Sequence, residues 1–226
     1  MLAEKYGTPI IEDDPYGQLR NEGDHIAPLV VIDRENVRSD RGYKLGNVIY
    51  LSTFSKTLAP GLRLGWIVAP ADVISKLVQL KQGADLHTST FTQMVAYQVA
   101  RDGFLEEHVK KIRAVYRERR DTMLSALEEF FPPGVTWTRP AGGLFLWVTL
   151  PEGLDAQELF EAAVRERVAF VPGDSFYATK RPDCRNLRLN FSHPTPDRIW
   201  EGIRRLGIAV TSAMERMPAN EPAIRG

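Results

Sequence analysis

The residues best suited to chemistry are a lysine and its neighbours in the segment 51–66, where hydroxyl, small and apolar side chains surround it. A largely apolar site removes hydration from an ammonium group, which makes the neutral amine of Lys56 available as a nucleophile toward a carbonyl carbon. The segment therefore indicates Schiff-base chemistry. It also contains donors that would hold a phosphate group near the amine. These donors are Ser52, Thr53, Ser55 and Arg63.

Two further groups of polar side chains are candidates for a binding site. Residues 9–12 are typical of a buried strand, and the sequence DDPY at 13–16 then forms an acidic turn that offers a carboxylate and a phenol. The same letters also form ordinary turns. Arg188, in the run 186–192, is the third group. It could bind an anionic substrate or pair with a neighbouring acid.

Three short apolar runs predict the strands that position the first two groups. They cover residues 9–12, 47–52 and 64–69, and turn residues bound them. Runs that are apolar on both faces favour a covered, mostly parallel sheet, so the predicted fold class is α/β. Ligands of such sheets gather at the carboxyl ends of the strands. Residues 18–46 are polar and lack periodicity, which predicts an extended surface connection.

Helical patterns follow these strands. The residues at 90–93 form a capping-box pattern, and the helix that it opens is predicted to bury Met94, Tyr97 and Ala100 or Arg101. Apolar residues recur at spacings of three and four over 104–131, which predicts one long helix. Its basic residues lie mostly off the apolar stripe, so we expect them to form a solvated face. They are Lys110, Arg113, Arg117 and Arg120.

A break at Pro132, Pro133 and Gly134 ends the long helix and predicts a domain boundary. Residues 1–131 are expected to form part of a large domain that includes the helix. Residues 132–226 alternate short strands and helices, which predicts a small, complete α+β domain.

Composition restricts the classes of function. Lysine plus arginine equals aspartate plus glutamate at 29 each, so no net field attracts nucleic acid or an anionic membrane surface. The longest apolar stretch, 144–150, is far too short to cross a bilayer. The single cysteine, Cys184, fits a structural thiol in a reducing compartment, and we expect a cytoplasmic protein. No residue pattern indicates a metal site.

Five motifs in order resemble the class I/II aminotransferases, which are fold-type I enzymes dependent on pyridoxal 5'-phosphate (PLP). The resemblance is closest to the subgroup of 2-aminoadipate, kynurenine and aromatic aminotransferases, and it extends over nearly the whole chain. The motifs lie at residues 12–17, 52–66, 140–147, 170–173 and 186–192.

The resemblance implies a role for each candidate residue. Lys56 would form the internal aldimine with PLP and later move the proton between substrate and cofactor carbons. Asp13 would face the pyridine nitrogen and keep it protonated, and Tyr16 would donate to the cofactor's phenolic oxygen. Asp14 would only form the turn, and Arg188 would bind the α-carboxylate of the substrate. The phosphate would be held by Thr53, Ser55 and Arg63.

The resemblance also implies that the chain is the C-terminal part of the PLP-dependent transferase fold. It would contain part of the large three-layer domain and the whole small domain. The rest of the large domain would then be missing, which would leave a broad apolar edge and face exposed. We therefore expect weak PLP binding and little or no turnover by this chain. The intact parent would be a homodimer that transfers an amino group from an L-amino acid to a 2-oxo acid such as 2-oxoglutarate.

Two other functions remain open. Aminotransferase-like domains also occur behind a DNA-binding winged helix in transcription regulators, where the PLP site acts as a sensor. The same lysine and cofactor also support lyase reactions. The choice of amino-acid substrate is not predicted by these motifs.

Overall fold

The computed structural model describes residues 2–36, 46–179 and 184–217. The chain divides into two compact units, Met1–Arg113 and Ala114–Gly226, and each is described separately below. The division lies inside the long helix. The domain boundary predicted between residues 131 and 132 stays a prediction.

The first unit consists of a three-stranded sheet and several helices. A 3-10 turn, Pro60–Leu62, precedes the third strand. The elements are α1 (Leu2–Tyr6), β1 (Ile10–Asp13), α2 (Leu29–Asn36), β2 (Val48–Thr53), β3 (Gly65–Val68), α3 (Ala71–Ala84), α4 (Thr90–Ala100) and the start of α5 (Phe104–Phe130).

The strands lie close to the predicted positions, but the extended connection predicted at residues 18–46 is wrong at Leu29–Asn36, where the structure forms α2. Residues 37–45 of that prediction lie outside the described residues. Its N-terminus is fixed because the Glu12 carboxylate accepts hydrogen bonds from the backbone N–H groups of Leu29 and Val30. The Val30 side chain is buried. This long-range cap explains a helix that local periodicity did not indicate.

The pairing of the three strands brings the predicted site residues to one edge of the sheet. β1 and β2 are parallel, with Asp13 opposite Leu51. β2 and β3 are antiparallel, with Thr53 opposite Gly65. The carboxyl ends of β1 and β2 and the start of β3 therefore meet at the same edge, where ligands of α/β sheets bind.

Helix α4 begins where it was predicted, but its cap and its buried face differ from the prediction. Ser89 is the N-cap, and its hydroxyl accepts a hydrogen bond from the Thr92 backbone N–H at 3.4 Å. The buried residue of the helix is Ala96, whereas Met94 is exposed and Tyr97 is 60% exposed. A small side chain allows the closest approach to a neighbour, so the helix packs through alanine and its larger apolar residues face outward.

The second unit is an α+β unit built around an antiparallel sheet with strand order β4-β5-β7-β6. A 3-10 turn, Gly173–Phe176, connects β6 toward β7. Its elements are the end of α5, β4 (Thr136–Trp137), β5 (Phe145–Thr149), α6 (Ala156–Arg165), β6 (Val171–Pro172), β7 (Asn186–Asn190) and α7 (Pro196–Glu215).

Alternation along the two central strands separates a core face from a second face. Leu146 and Val148 of β5 are buried, as are Leu187 and Leu189 of β7. Arg188 lies on the opposite face, because successive side chains of a strand point to opposite sides. The core therefore fixes the position of the arginine.

The long helix α5 buries one of the basic residues that were expected to be solvated. Arg120 is only 2% exposed. Its guanidinium donates to the Asp121 carboxylate and, at 3.0 Å, to the backbone carbonyl of Pro140. The prediction of a solvated face is thus wrong at this residue, because a carboxylate and a carbonyl replace the water around the charge.

Cys184 is buried, and this burial together with the nearby Asp174 raises the pKa of its thiol. A raised pKa keeps the thiol protonated, as expected for a structural cysteine. No helix in the described ranges is long and apolar enough to cross a membrane.

Candidate functional site

The lysine and the phenol predicted for the site are close in the first unit. Lys56 follows the end of β2 and is half-buried, and its Nζ lies 5.9 Å from the centre of the Tyr16 ring. Asp13 ends β1 at the same edge of the sheet. Arg63 precedes β3 by two residues and so belongs to this edge as well. The structure thus gathers residues from three separate segments.

The two neighbouring acids are in different situations. The Asp14 carboxylate accepts hydrogen bonds from the Gly17 backbone N–H at 2.6 Å and from the Tyr50 hydroxyl at 3.1 Å. A Cβ atom at Gly17 would overlap that carboxylate, so a larger residue there would displace it. Asp13 is exposed, and its carboxylate makes no hydrogen bond or ion pair with any residue that the structure describes. Asp14 therefore stabilises the turn, and the Asp13 carboxylate is available to a ligand.

The hydroxyls of Thr53 and Ser55, two of the three before the lysine, also differ. Their oxygens lie 2.9 Å apart. Thr53 donates its only hydroxyl proton to the Leu64 carbonyl at 2.7 Å, and its oxygen accepts the Ser55 backbone N–H at 3.0 Å. The bond from Thr53 to Leu64 thereby connects the end of β2 to the residue before β3. Among the described residues the Ser55 hydroxyl contacts only the Thr53 hydroxyl, so a ligand can compete for the Ser55 proton.

Arg63 has an unusual backbone conformation. Its φ of 52° lies in the left-handed region, which side chains other than glycine rarely adopt. Its Nη1 donates to the Pro60 carbonyl at 3.1 Å, and the side chain is exposed. Residues held in such conformations cluster at ligand sites. The strain is consistent with an arginine that the fold holds ready for an anion.

Arg188 lies in the second unit, on a strand with neighbours on both sides. It is opposite Trp147 of β5 and Val171 of β6. The guanidinium carbon is 4.1 Å from the centre of the Phe145 ring and 4.7 Å from that of Phe176. Its buried Nε has no hydrogen-bond partner among the residues that the structure describes. No carboxylate pairs with it in the described part of this unit, so the alternative of a structural ion pair has no support there.

Two features of these sites were missed in the sequence. The Tyr50 hydroxyl that holds Asp14 comes from the next strand, and only the strand register reveals it. Phe176 reaches Arg188 from a 3-10 turn, where no periodic pattern marks its role. The aromatic residue at 145 lay inside a recognised motif, but its contact with the arginine depends on the pairing of β5 and β7.

Comparisons with known proteins agree with the arrangement of residues. The chain is 46% identical over 216 residues to aromatic-amino-acid aminotransferase 1 of Thermococcus litoralis, a match that covers 95% of this chain and 49% of the relative. It is 35% identical over 203 residues to an HTH-type transcriptional regulator of Bacillus subtilis, covering 90% of this chain and 39% of the regulator. The chain spans about half the length of the curated aminotransferases that it matches.

The fold is also similar to solved structures. One is the α-aminoadipate aminotransferase of Thermus thermophilus, complexed with N-(5'-phosphopyridoxyl)-L-leucine. The TM-score is 0.88 and the identity 41%, over 96% of this chain and 53% of that one. The sequence profile of the family named aminotransferase class I and II matches residues 1–206. The chain therefore belongs to the class I and II aminotransferase family, whose enzymes use PLP.

Proposed function

We propose that this chain carries the PLP-binding lysine and the substrate-binding arginine of an aminotransferase. The reaction is the transfer of an amino group from an L-amino acid to a 2-oxo acid. One observation carries the proposal: the strand register gathers Asp13, Tyr16 and Lys56 at one edge of the sheet, and the Asp13 carboxylate has no partner among the described residues.

The donor set in the first unit fits PLP. An aldehyde requires an amine, a pyridine nitrogen requires a carboxylate and a phosphate requires hydrogen-bond donors. Lys56 and Asp13 supply the first two. Ser55 and Arg63 supply the donors, and Thr53 holds Ser55 through the bond to its backbone N–H. When bound, PLP supplies an electron sink for the charge that develops on the substrate's α carbon.

Each residue then has a stated task. Lys56 would hold the cofactor through Nζ, and the same amine, once released, would move the proton of the substrate's α carbon to the cofactor carbon. Asp13 would keep the pyridine nitrogen protonated, and Tyr16 would donate a hydrogen bond to the phenolic oxygen. Arg188 binds the α-carboxylate of the substrate, because a planar guanidinium presents two parallel donors to it.

The substrates and the setting are proposals of the same kind. The names of the relatives include aromatic amino acids and 2-aminoadipate, which we propose as amino donors to be compared directly. The proposed acceptor is 2-oxoglutarate. We further propose a homodimer in the cytoplasm, without a nucleic-acid or membrane partner for this segment and without a metal.

We propose that the chain binds PLP weakly when it is alone. Asp13 shares a sheet face with Ile11 and Ile67, since paired residues of neighbouring strands point to the same side. These two isoleucines are 67% and 43% exposed. A carboxylate on a face open to water makes weaker charged contacts than one in a dry site. Full affinity therefore requires a cover for this face.

Absorbance titration with PLP tests both the assignment of Lys56 as the PLP-binding lysine and the expectation that the chain alone binds PLP weakly. We expect incomplete loading at one equivalent of PLP, and loading that is lost in Lys56→Arg and retained in the matched variant Lys76→Arg. At saturating PLP, an added L-amino acid should yield its 2-oxo acid slowly in a single turnover, and Lys56→Arg should abolish this. Complete loading at one equivalent with rapid transamination would overturn the expectation of weak binding.

A second function is favoured by the similarity to HTH-type regulators, which extends over 90% of the chain. In that case the PLP site would act as a sensor. The genomic sequence before Met1 discriminates the two: further aminotransferase sequence supports the enzyme, and a basic helix-turn-helix supports the regulator. Products separate a third candidate, because a lyase would release the substrate's side chain without forming glutamate from 2-oxoglutarate.

A further inference from the structure

Among the described residues of its unit, the Arg188 guanidinium contacts two aromatic rings and pairs with no acid. Phe145 and Phe176 both place their ring centres close to the guanidinium carbon, at 4.1 and 4.7 Å. A cation at this distance over a ring is attracted by the negative face of the ring. Since no described residue of the unit accepts a hydrogen bond from Arg188, these rings are the contacts that orient its charged group.

The rings are themselves fixed by the fold. Phe176 contacts Trp147 edge to face, with ring centres 5.3 Å apart at 81°. Trp147 lies directly opposite Arg188 in the sheet, and its backbone N–H donates to the Thr138 hydroxyl at 3.0 Å. Phe145 lies two residues before Trp147 on the same face of β5. Arg188 and Phe145 thus lie on one sheet, and Phe176 contacts that sheet from its turn through Trp147.

The turn that delivers Phe176 is attached to the strand that carries the arginine. A Cβ atom at Gly173 would lie 2.8 Å from the Asn186 carbonyl oxygen, so the turn packs directly against β7. The Tyr177 hydroxyl donates to the Asn186 side-chain oxygen at 2.9 Å. Phe176 is therefore held at a set distance from Arg188 from both ends of its turn.

Aromatic contacts differ from an ion pair because they leave the N–H donors of the guanidinium available to a ligand. A carboxylate partner would orient the guanidinium but would also neutralise it and occupy its N–H groups. Ring faces restrict the rotamers of the side chain and use none of those donors. A preoriented arginine loses less freedom when an anion binds.

We propose that Phe145 and Phe176 are positioning residues that hold the Arg188 guanidinium ready for a carboxylate and leave its donors unused. The proposal rests on the role of Arg188 proposed above. It identifies the class of group recognised as a planar carboxylate, which takes two parallel N–H donors.

Nitrogen-15 NMR of the arginine Nε–H signals of the full chain tests the positioning without any ligand. The Nε–H signal that is absent from the spectrum of Arg188→Lys is the signal of Arg188. Phe176→Leu should move this signal out of its ring-shifted position and speed its hydrogen exchange about tenfold. Phe176→Tyr should preserve it. The matched control is Phe160→Leu, which disrupts the Phe160–Phe170 ring pair of the same unit and should leave the signal unchanged.

A second measurement separates positioning from substrate binding. Titration with 2-oxoglutarate should shift the Arg188 signal, with an apparent affinity about tenfold lower in Phe176→Leu than in the native chain or in Phe160→Leu. An Arg188 signal that does not respond to Phe176→Leu or Phe145→Leu overturns the positioning. If the rings do control the signal but 2-oxoglutarate never shifts it, the positioning is supported and the proposed carboxylate role of Arg188 fails.

Discussion

The two units of this chain differ in how completely they bury their apolar side chains. In the second unit, Leu146 is 0% exposed and lies in a core between the sheet and its helices. In the first unit, Ile67 occupies a comparable place in a strand and is 43% exposed. Large apolar side chains of α3 and α4 are also exposed there, among them Leu80, Phe91 and Tyr97.

This difference indicates that the second unit buries enough apolar surface within itself to be stable, whereas the first unit depends on cover from outside. Each Å² of apolar surface removed from water contributes roughly 25 cal/mol to stability, so the second unit obtains its stability from within. The first unit gains less stability in this way, because much of its apolar surface stays in water. It also carries the proposed cofactor residues Asp13 and Lys56. We therefore predict that the second unit, which carries Arg188, is stable, and that the first unit binds its proposed cofactor fully only when its exposed face is covered.

The largest effect should distinguish two matched strand substitutions. Leu146→Ala in β5 should lower the free energy of unfolding by about 2–5 kcal/mol, because it leaves a cavity in a packed core. Ile67→Ala in β3 should cost less than about 1 kcal/mol, because its side chain is already partly in water. Urea denaturation of both variants measures the difference. Equal losses would contradict the contrast between the units.

A second pair of variants compares two arginines of α5 in the second unit. Arg120→Ala should destabilise by about 1–3 kcal/mol, because the partly buried Pro140 carbonyl and the Asp121 carboxylate lose their donor. Arg117→Ala, on the exposed side of the helix, should stay within about 0.5 kcal/mol of the native value. The melting temperatures of the two variants measure this difference. Equal melting temperatures would contradict a stabilising role of the buried Arg120.

The two acids of the first unit give a third, smaller effect. Asp14→Ala should cost about 1–2 kcal/mol through the lost bonds to Gly17 and Tyr50. Asp13→Asn should leave stability unchanged and weaken PLP loading. The measurements are urea denaturation and absorbance titration of both variants. A destabilised Asp13→Asn with normal loading would reverse the proposed division of roles.

The smallest expected effect is a pH dependence on the surface of the second unit. Hydrogen bonds from Arg204 and Arg205 lower the pKa of Glu201 from 4.5 to about 2. The folded state thus favours the ionised carboxylate, and its contribution is fully present above pH 4.5 and lost as the pH falls toward 2. Glu201→Gln should remove this part of the decline in melting temperature. An unchanged acid profile in this variant would exclude the contribution.

Local patterns predicted much of the fold but not the effects of distant partners. The strands and long helices follow apolar periodicity, and the motif at 52–56 identified the lysine. The sequence did not predict α2, whose first N–H groups are held by Glu12, nor the burial of Arg120, which depends on Pro140. In each case the local structure depends on a partner that is distant in the sequence, and local propensity does not contain information about that partner.

The same reason limited the prediction of the candidate site. Residue types and order indicated Lys56, Asp13 and Arg188. The partner of Asp14 and the rings around Arg188 come from strand register, which a single sequence does not specify. The expected burial of Tyr97 was wrong because periodicity identifies an apolar face but does not supply the element that covers it.

Borohydride reduction of the chain in excess PLP, followed by peptide mass mapping, tests the central claim most directly. We predict that the phosphopyridoxyl group is found mainly on Lys56, that Lys56→Arg removes this label and that Lys76→Arg retains it. Labels spread over the exposed lysines, or an undiminished label in Lys56→Arg, would contradict the assignment of Lys56 as the cofactor lysine.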